Sequence, residues 1–519
     1  MAGWRSQSFW ALALAASVLA AGAAGRAEAQ GGADLRAKVR AWRAAHEKEI
    51  VGELAGLLSL PNVATNPADI RTNAEHLVGM LGKRGFATRI ISAGDGTPPA
   101  VYGELATPGA KRTVVFYAHF DGQPVDQQGW LSDPWKPVIR TGPIGDGVKE
   151  VDWKSVSGPL DPEWRIYARS ASDDKSPIVA LLAAFDALKA AGVKPTVNLK
   201  IFLEGEEEQG SPHLTEILER NADLLAADAW ILLDGPVHQT RKMQVFFGAR
   251  GVSGLDLTVY GPLRPLHSGH YGNWAPNPAA MLAHLLADLR DTDGRILIPG
   301  FYDDVRPLNE AEKKALAVLP DVETALKQEL GLGRTEGSAR LLDSVQAPSL
   351  NVRGLRSAEV GDAAANAIPT EARVSIDFRL VPDQRPEKVK ERVEEWLKAQ
   401  GWHLVADEPD RETRLAHPKV ARVHWSLDYP AARTALDLPA SRAVVSAVDK
   451  TMGEPVIQIP MLGGSVPMYL FTDTLKVPVI GVPMVNHDNN QHGINENLRL
   501  QNLWDGIEVY AGLIAGLDW

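Results

Sequence analysis

The chain has 519 residues, of which 45% are hydrophobic and 23% charged, with 54 basic against 65 acidic side chains and a net charge of −11. Such a composition supports a large buried core and excludes intrinsic disorder for the bulk of the chain. The acidic excess leaves no broad basic face for nucleic acid. Cysteine is absent, which excludes disulfides, thiolate metal sites, iron–sulfur clusters and thiol nucleophiles. Any metal must therefore be held by His, Asp and Glu.

Residues Met1–Ala29 carry Arg5, an apolar run from Phe9 to Ala24, and Ala27-Glu28-Ala29. This is the pattern of a secretory signal peptide cleaved after Ala29, and the run is too short for a membrane anchor. A secreted or periplasmic protein is expected. An amphipathic helix is predicted over Asp34–Leu58, ending before Pro61, and a second over Arg71–Arg84, ending at Gly85. Strand-length apolar runs follow at Thr113–Phe120, Val197–Leu203 and Trp230–Leu233. Between the first two, Ser176-Pro177 opens a helix whose buried stripe is Ile178, Leu181, Leu182, Phe185 and Leu188, with Gly192 and Pro195 as the stop. Strands alternating with helices predict an α/β domain with a largely parallel sheet flanked by helices, spanning 30–247.

The texture changes near Gly248. Val252–Tyr260 alternates as a half-exposed strand does, Pro276–Leu289 reads as a helix, and Asn309–Leu330 is a charged helical stretch. Arg373–Leu380 is another alternating strand, followed by a charged helix over Pro386–Ala399. This order predicts a smaller antiparallel α+β domain inserted at 248–402. The first domain is expected to resume over 403–519, with helix Ser441–Met452, strand Val456–Pro460, helix Val466–Thr474, strand Val477–Pro483 and a closing helix Leu498–Leu517.

In open α/β sheets, ligand sites lie beyond the carboxyl ends of the strands. The first apolar run leads into His119-Phe120-Asp121, the second into Glu204-Gly205-Glu206-Glu207-Glu208, and the third into Asp234. The late strand leads into a loop with His487, Asp488 and His492, and Asp173-Asp174 stands just before the Ser176 helix. Five segments thus bring carboxylate or imidazole to one rim. Alone, each is bland: a Glu-rich run is usually a solvated face, and Asp173-Asp174 is a plausible helix cap. Together they predict a crowded acidic site that stays ionised only if cations neutralise it. Two divalent ions about 3.5–4 Å apart with a carboxylate between them satisfy that requirement. Zinc suits the thiol-free His/carboxylate set best, with Mn or Co as alternatives. In His119-x-Asp121 both side chains lie on one strand face, so Asp121 can take the second ring N–H of His119.

The chain resembles the M20 family of metallopeptidases, in its carnosine-dipeptidase-like branch. The motifs are His119-Phe120-Asp121, Ser172-Asp173-Asp174-Lys175, Glu204-Gly205-Glu206-Glu207-Glu208, Leu233-Asp234, Leu266-His267-Ser268-Gly269, Gly463-Gly464-Ser465-Val466-Pro467 and His492-Gly493-Ile494-Asn495-Glu496. The resemblance implies that Asp173 bridges two ions, with His119 and Asp234 completing one site and Glu208 and His492 the other. It implies Glu207 as the general base, Asp121 as the partner of His119, and a cis peptide between Asp173 and Asp174. It also implies that the inserted domain is a ferredoxin-like lid through which the protein forms a homodimer. His267 would then reach the partner subunit's site and stabilise the oxyanion, while Asn366, Arg379, Gly464 and Ser465 would bind substrate. His487 falls outside the motif, which assigns the ligand role to His492.

Three positions depart from the branch. Met461-Leu462 stand where Arg-Glu is usual before Gly-Gly-Ser, and Ser176 replaces a glycine. Loss of the acidic group that would help hold a free substrate amine makes N-acyl amino acids an alternative to dipeptides. The reading is thus a dinuclear metal-dependent hydrolase of amide bonds in small peptides, with an N-acyl-amino-acid deacylase as its rival. A non-catalytic binder of peptides or metal ranks lower, because a binder has no use for the poised base Glu207. No nucleic-acid partner or membrane anchor is expected.

Overall fold

A computed structural model describes residues 32–126 and 128–519. The signal peptide expected at 1–29 lies outside the described residues. The chain divides into two compact units. One comprises the chain up to Phe246 together with Ala435–Gln458 and Thr474–Trp519, and the other Phe247–Thr434 with Ile459–Asp473.

The helix expected over Asp34–Leu58 is interrupted at His46, whose φ of −123° leaves the helical range while its ring stacks on Trp42. It resumes as α1 (Glu47–Leu58), followed by α2 (Pro67–Lys83), which Asn66 caps by accepting the N–H of Ala68. Strands β1 (Ala87–Ile91), β2 (Ala100–Leu105) and β3 (Thr113–His119) lead to α3 (Lys175–Ala190), then β4 (Asn198–Glu204), β5 (Ala229–Leu232) and β6 (Gln244–Phe246). After them come β7 (Gly251–Tyr260), α4 (Pro278–Leu289), β8 (Ser349–Arg356), β9 (Glu371–Leu380), α5 (Pro386–Ala399), β10 (His403–Val405) and β11 (Val420–Tyr429). The chain closes with α6 (Pro439–Met452), β12 (Ile457–Ile459), β13 (Val479–Gly481) and α7 (Leu500–Gly516).

The eight-stranded sheet has the order β1-β2-β4-β3-β5-β13-β6-β12. Its middle strands β4, β3, β5 and β13 are parallel, and antiparallel pairs flank them. The parallel strands are buried over nearly their full length, as a sheet covered on both faces requires. Helices α3 and α7, nearly all buried, pack against each other. Because His119 lies directly opposite Glu204 in the β3/β4 register, the carboxyl ends of neighbouring strands finish level.

The second unit is an α+β sandwich. Its five-stranded sheet, in the order β8-β9-β7-β11-β10, buries Leu255, Leu257, Val374 and Ile376 against Leu282 and Leu285 of α4 and Val389 and Val393 of α5. Residues 403–434 belong to this unit, whereas the sequence reading returned the chain to the first domain at 403. The physical reason is the free edge of β7, which pairs along its length with β11, and β10 then extends the sheet in parallel. The helical stretch expected over Asn309–Leu330 is two helices, Glu310–Ala317 and Glu323–Glu329, separated at Pro320. Over 466–474 only Met468–Leu470 is α-helical, running into a π-turn at Phe471–Leu475.

Candidate metal centre

Strand β3 delivers His119 to the rim fully buried, and two residues later Asp121 is buried as well. Asp121 Oδ1 stands 3.3 Å from His119 Nδ1. The same carboxylate accepts the backbone N–H groups of Glu207 and Glu208, both at 3.1 Å. One side chain therefore stands beside the imidazole and holds the turn that carries two glutamates. That turn leaves β4 through Gly205, where a Cβ would come 2.6 Å from the Pro99 carbonyl oxygen. Only glycine fits there, which accounts for the Glu-Gly-Glu spelling.

Asp173 arrives from the loop before α3, and its peptide bond to Asp174 is cis. Glu496, with no exposed surface, holds this loop. It accepts hydrogen bonds from Arg169 at 2.8 Å and from Ser170 N, Ser172 N, Ser172 Oγ and Asp173 N at 2.9 Å. Buried Lys175 donates to the carbonyls of Leu57 and Leu60, both at 2.9 Å, tying the start of α3 to the end of α1. His492 comes from the loop after β13, where Asn490, His492 and Asn495 all adopt left-handed backbone angles that favour glycine.

Two groups of converging ligand atoms result, each within 4.8 Å: His119, Asp174 and Asp234 in one, and Asp173, Glu208 and His492 in the other. Asp173 presents Oδ1 to His119 Nε2 at 2.9 Å and Oδ2 to His492 Nε2 at 3.1 Å. Glu208 lies 3.3 Å from His492 Nε2. Metal bonds of 2.0–2.1 Å in tetrahedral geometry separate neighbouring ligand atoms by roughly 3.3 Å. The donor set and its spacing thus fit two divalent cations. Gln123 Nε2 donates to Glu208 at 2.7 Å and Gln491 Nε2 to Asp173 at 3.3 Å, orienting both carboxylates. Glu207 is 4.0 Å from His119 Nε2, beside the first group. His487 belongs to neither group.

The charges explain why cations are needed. Burial pushes Glu207 well above its ordinary range, Glu208 to about 8 and Asp234 to about 6, and carboxylate neighbours add repulsion. Burial and then the Asp234 charge also raise Asp174. Burial opposes ionisation of Asp173 too, but its hydrogen bonds with His119 and His492 win and hold it below the usual carboxylate range. His492 is raised to about 9, chiefly by its bond to Asp173. Cations must displace the protons on Glu208, Asp234 and His492, so binding releases protons and weakens as pH falls from 8 to 6. Metal titrations at those two pH values are expected to differ by about tenfold or more in affinity. A pH-independent affinity would contradict this electrostatic picture.

Sequence alone gives Asp174 no ligand role and Glu496 no role beyond its motif. Nothing local marks either one. Asp174 looks like a helix cap, and the Glu496 cradle joins residues more than 300 positions apart.

In the second unit, Arg379 donates to Ser465 Oγ and to Asp377, both at 3.0 Å. Arg250 braces the adjoining loop by donating to the Gly463 carbonyl at 3.1 Å, and Gly464 is exposed. His267 lies opposite Ala367 in a two-stranded ribbon, and the Asn366 carbonyl accepts the Ser268 N–H at 2.9 Å. Met461 is buried and Leu462 half-buried.

Residues 115–516 match Peptidase family M20/M25/M40. The chain is 27% identical over 488 residues to the Cys-Gly metallodipeptidase dug1 of Schizosaccharomyces pombe, spanning 90% of this chain and 95% of that protein. It is 28% identical over 429 residues to the Beta-Ala-His dipeptidase of Homo sapiens, spanning 80% and 76% respectively. Among solved structures, the M20 family metallo-carboxypeptidase Sso-CP2 from Sulfolobus solfataricus superposes with a TM-score of 0.72 at 27% identity, covering 90% of this chain and 99% of that one.

Proposed function

Since the chain belongs to peptidase family M20/M25/M40 and is a metal-dependent hydrolase, we propose that it cleaves the amide bond of dipeptides and similarly small peptides. The observation that carries this reading is Asp173, which offers one carboxylate oxygen to His119 and the other to His492, with Glu207 buried alongside. Asp173 would help hold both of two divalent ions, the first beside His119 and Asp234, where Asp174 also converges, and the second with Glu208 and His492. Zinc is the first candidate for both. Bound ions of this kind polarise a scissile carbonyl and lower the pKa of a water from 15.7 to about 7.

Glu207 takes the proton of the attacking water and delivers it to the departing amine nitrogen. Asp121 keeps His119 turned with Nε2 towards Asp173. Arg379, steadied by Asp377 and Ser465, supplies a guanidinium for the substrate carboxylate, with Asn366 and the exposed Gly464 completing substrate contacts. Relatives named as Cys-Gly and Beta-Ala-His dipeptidases support the dipeptide class. A panel of dipeptides, their C-terminal amides and N-acyl amino acids tests it. Free dipeptides are expected to be turned over at least about tenfold better than the amides, a preference that Arg379→Ala abolishes. Preference for N-acyl amino acids would favour the second reading, which rests on half-buried Leu462 standing where an acidic residue would hold a free amine.

We further read His267 as an oxyanion donor acting across a homodimer formed through the second unit. Mixed dimers of His267→Ala and Glu207→Gln subunits are expected to regain activity that neither parent shows, and verified mixed dimers that stay inactive would rule out the shared site. The pattern at 1–29 supports an extracytoplasmic location, tested by whether mass spectrometry of exported protein finds Gln30 as the first residue. Among the described residues no helix is long and apolar enough to cross a membrane.

A further inference from the structure

Residues 266–272 form a turn whose hydrogen bonds bear on which nitrogen of His267 carries the proton. Leu266 and His267 pair with Ile368 and Ala367, and the Ser268 N–H bonds to the Asn366 carbonyl, so the base of the turn is fixed on both sides. Just beyond, the backbone N–H of Gly269 donates to His267 Nδ1 at 3.1 Å. A neutral imidazole has one donor nitrogen and one acceptor. A backbone N–H can pair only with the acceptor, so Nδ1 is bare and the ring proton sits on Nε2.

Gly269 does not take a left-handed φ, so backbone freedom does not explain it. Space does. A Cβ there would lie 3.1 Å from His267 Cε1 and 3.2 Å from Nδ1, so the ring would have to give by a few tenths of an ångström. The ring is also held from the side by His270, whose centroid is 4.5 Å away at an interplanar angle of 35°.

We propose that the 266–272 turn is a tautomer lock, in which the Gly269 N–H and the His270 ring hold His267 with a single, oriented Nε2–H donor. Gly269 and His270 are thus positioning residues that act through His267. Their effect on turnover rests on the reading of His267 as an oxyanion donor, but the tautomer itself does not. A carbonyl oxygen gaining negative charge needs a donor already aimed at it, and a ring free to exchange its proton between nitrogens supplies that donor only part of the time.

The test uses the zinc-loaded full-length protein labelled with ¹⁵N-histidine, with the His267 signals assigned by their loss in His267→Ala. Long-range ¹H–¹⁵N correlations are expected to show Nδ1 unprotonated and Nε2 protonated. In Gly269→Ala the flexible ring is expected to move off the new methyl, mixing the tautomers. Its kcat should fall about tenfold with KM nearly unchanged, part of the roughly 100-fold lost when an oxyanion donor is removed. His270→Phe should preserve both tautomer and kcat, whereas His270→Ala should lose part of each. An Nδ1–H tautomer in the wild type, or a Gly269→Ala protein with unaltered tautomer and kcat, overturns the proposal. If His267→Ala retains full activity, the oxyanion reading falls, and the spectra still decide the lock.

Discussion

Glu207→Gln is expected to lower kcat by about 10²–10⁴-fold, the contribution of a positioned general base, while the protein still binds two metal ions. The amide matches the carboxylate in shape, and none of His119, Asp173, Asp174, Glu208, Asp234 or His492 is altered. The backbone N–H of residue 207 still donates to Asp121, so the turn stays in place. What is lost is the ability to take a proton. Burial and the charges of Asp234, Glu208 and Asp173, opposed by His119, make the Glu207 carboxylate hold a proton more tightly than an exposed glutamate. Steady-state kinetics together with elemental analysis checks both halves. A variant with full metal and more than about a tenth of wild-type kcat would remove Glu207 from the proton-transfer role.

Glu496→Ala is expected to destabilise the protein by about 3–5 kcal/mol, the cost of breaking a buried ion pair from one side. Glu496 and Arg169 have side chains 0% and 1% exposed. Removing the carboxylate strands the guanidinium and leaves the N–H groups of Ser170, Ser172 and Asp173 without their acceptor. Those N–H groups define the approach to the cis peptide and aim Asp173 at both imidazoles, so metal content should drop together with stability. Thermal unfolding should shift down by about 5 °C or more. An unchanged midpoint with full metal would show that the loop keeps its shape without this cradle.

The parallel strands and their terminal residues were legible because a covered parallel strand is a continuous apolar run, and the site residues follow such runs at once. Thr113–His119 then His119 and Asp121, and Ala229–Leu232 then Asp234, are local signals. The candidate ligands named from sequence fall within the two groups of converging atoms for this reason. What escaped was non-local. Strand Val420–Tyr429 is mostly exposed along one side and reads weakly, and only its pairing with Gly251–Tyr260 assigns residues 403–434 to the second unit. The Glu496 cradle and the place of Asp174 beside Asp234 depend on contacts between segments far apart in the chain. The break at His46 depends on a ring stacking on its own helix, which hydrophobic periodicity cannot register.

The double duty of Asp121 makes assembly of this centre cooperative. The glutamate turn and the surroundings of the histidine depend on one carboxylate, which bonds the backbone of both glutamates and stands 3.3 Å from His119 Nδ1. Charge-assisted bonds of this sort are worth about 1.5–3 kcal/mol each, so the half-built arrangement is sparsely populated.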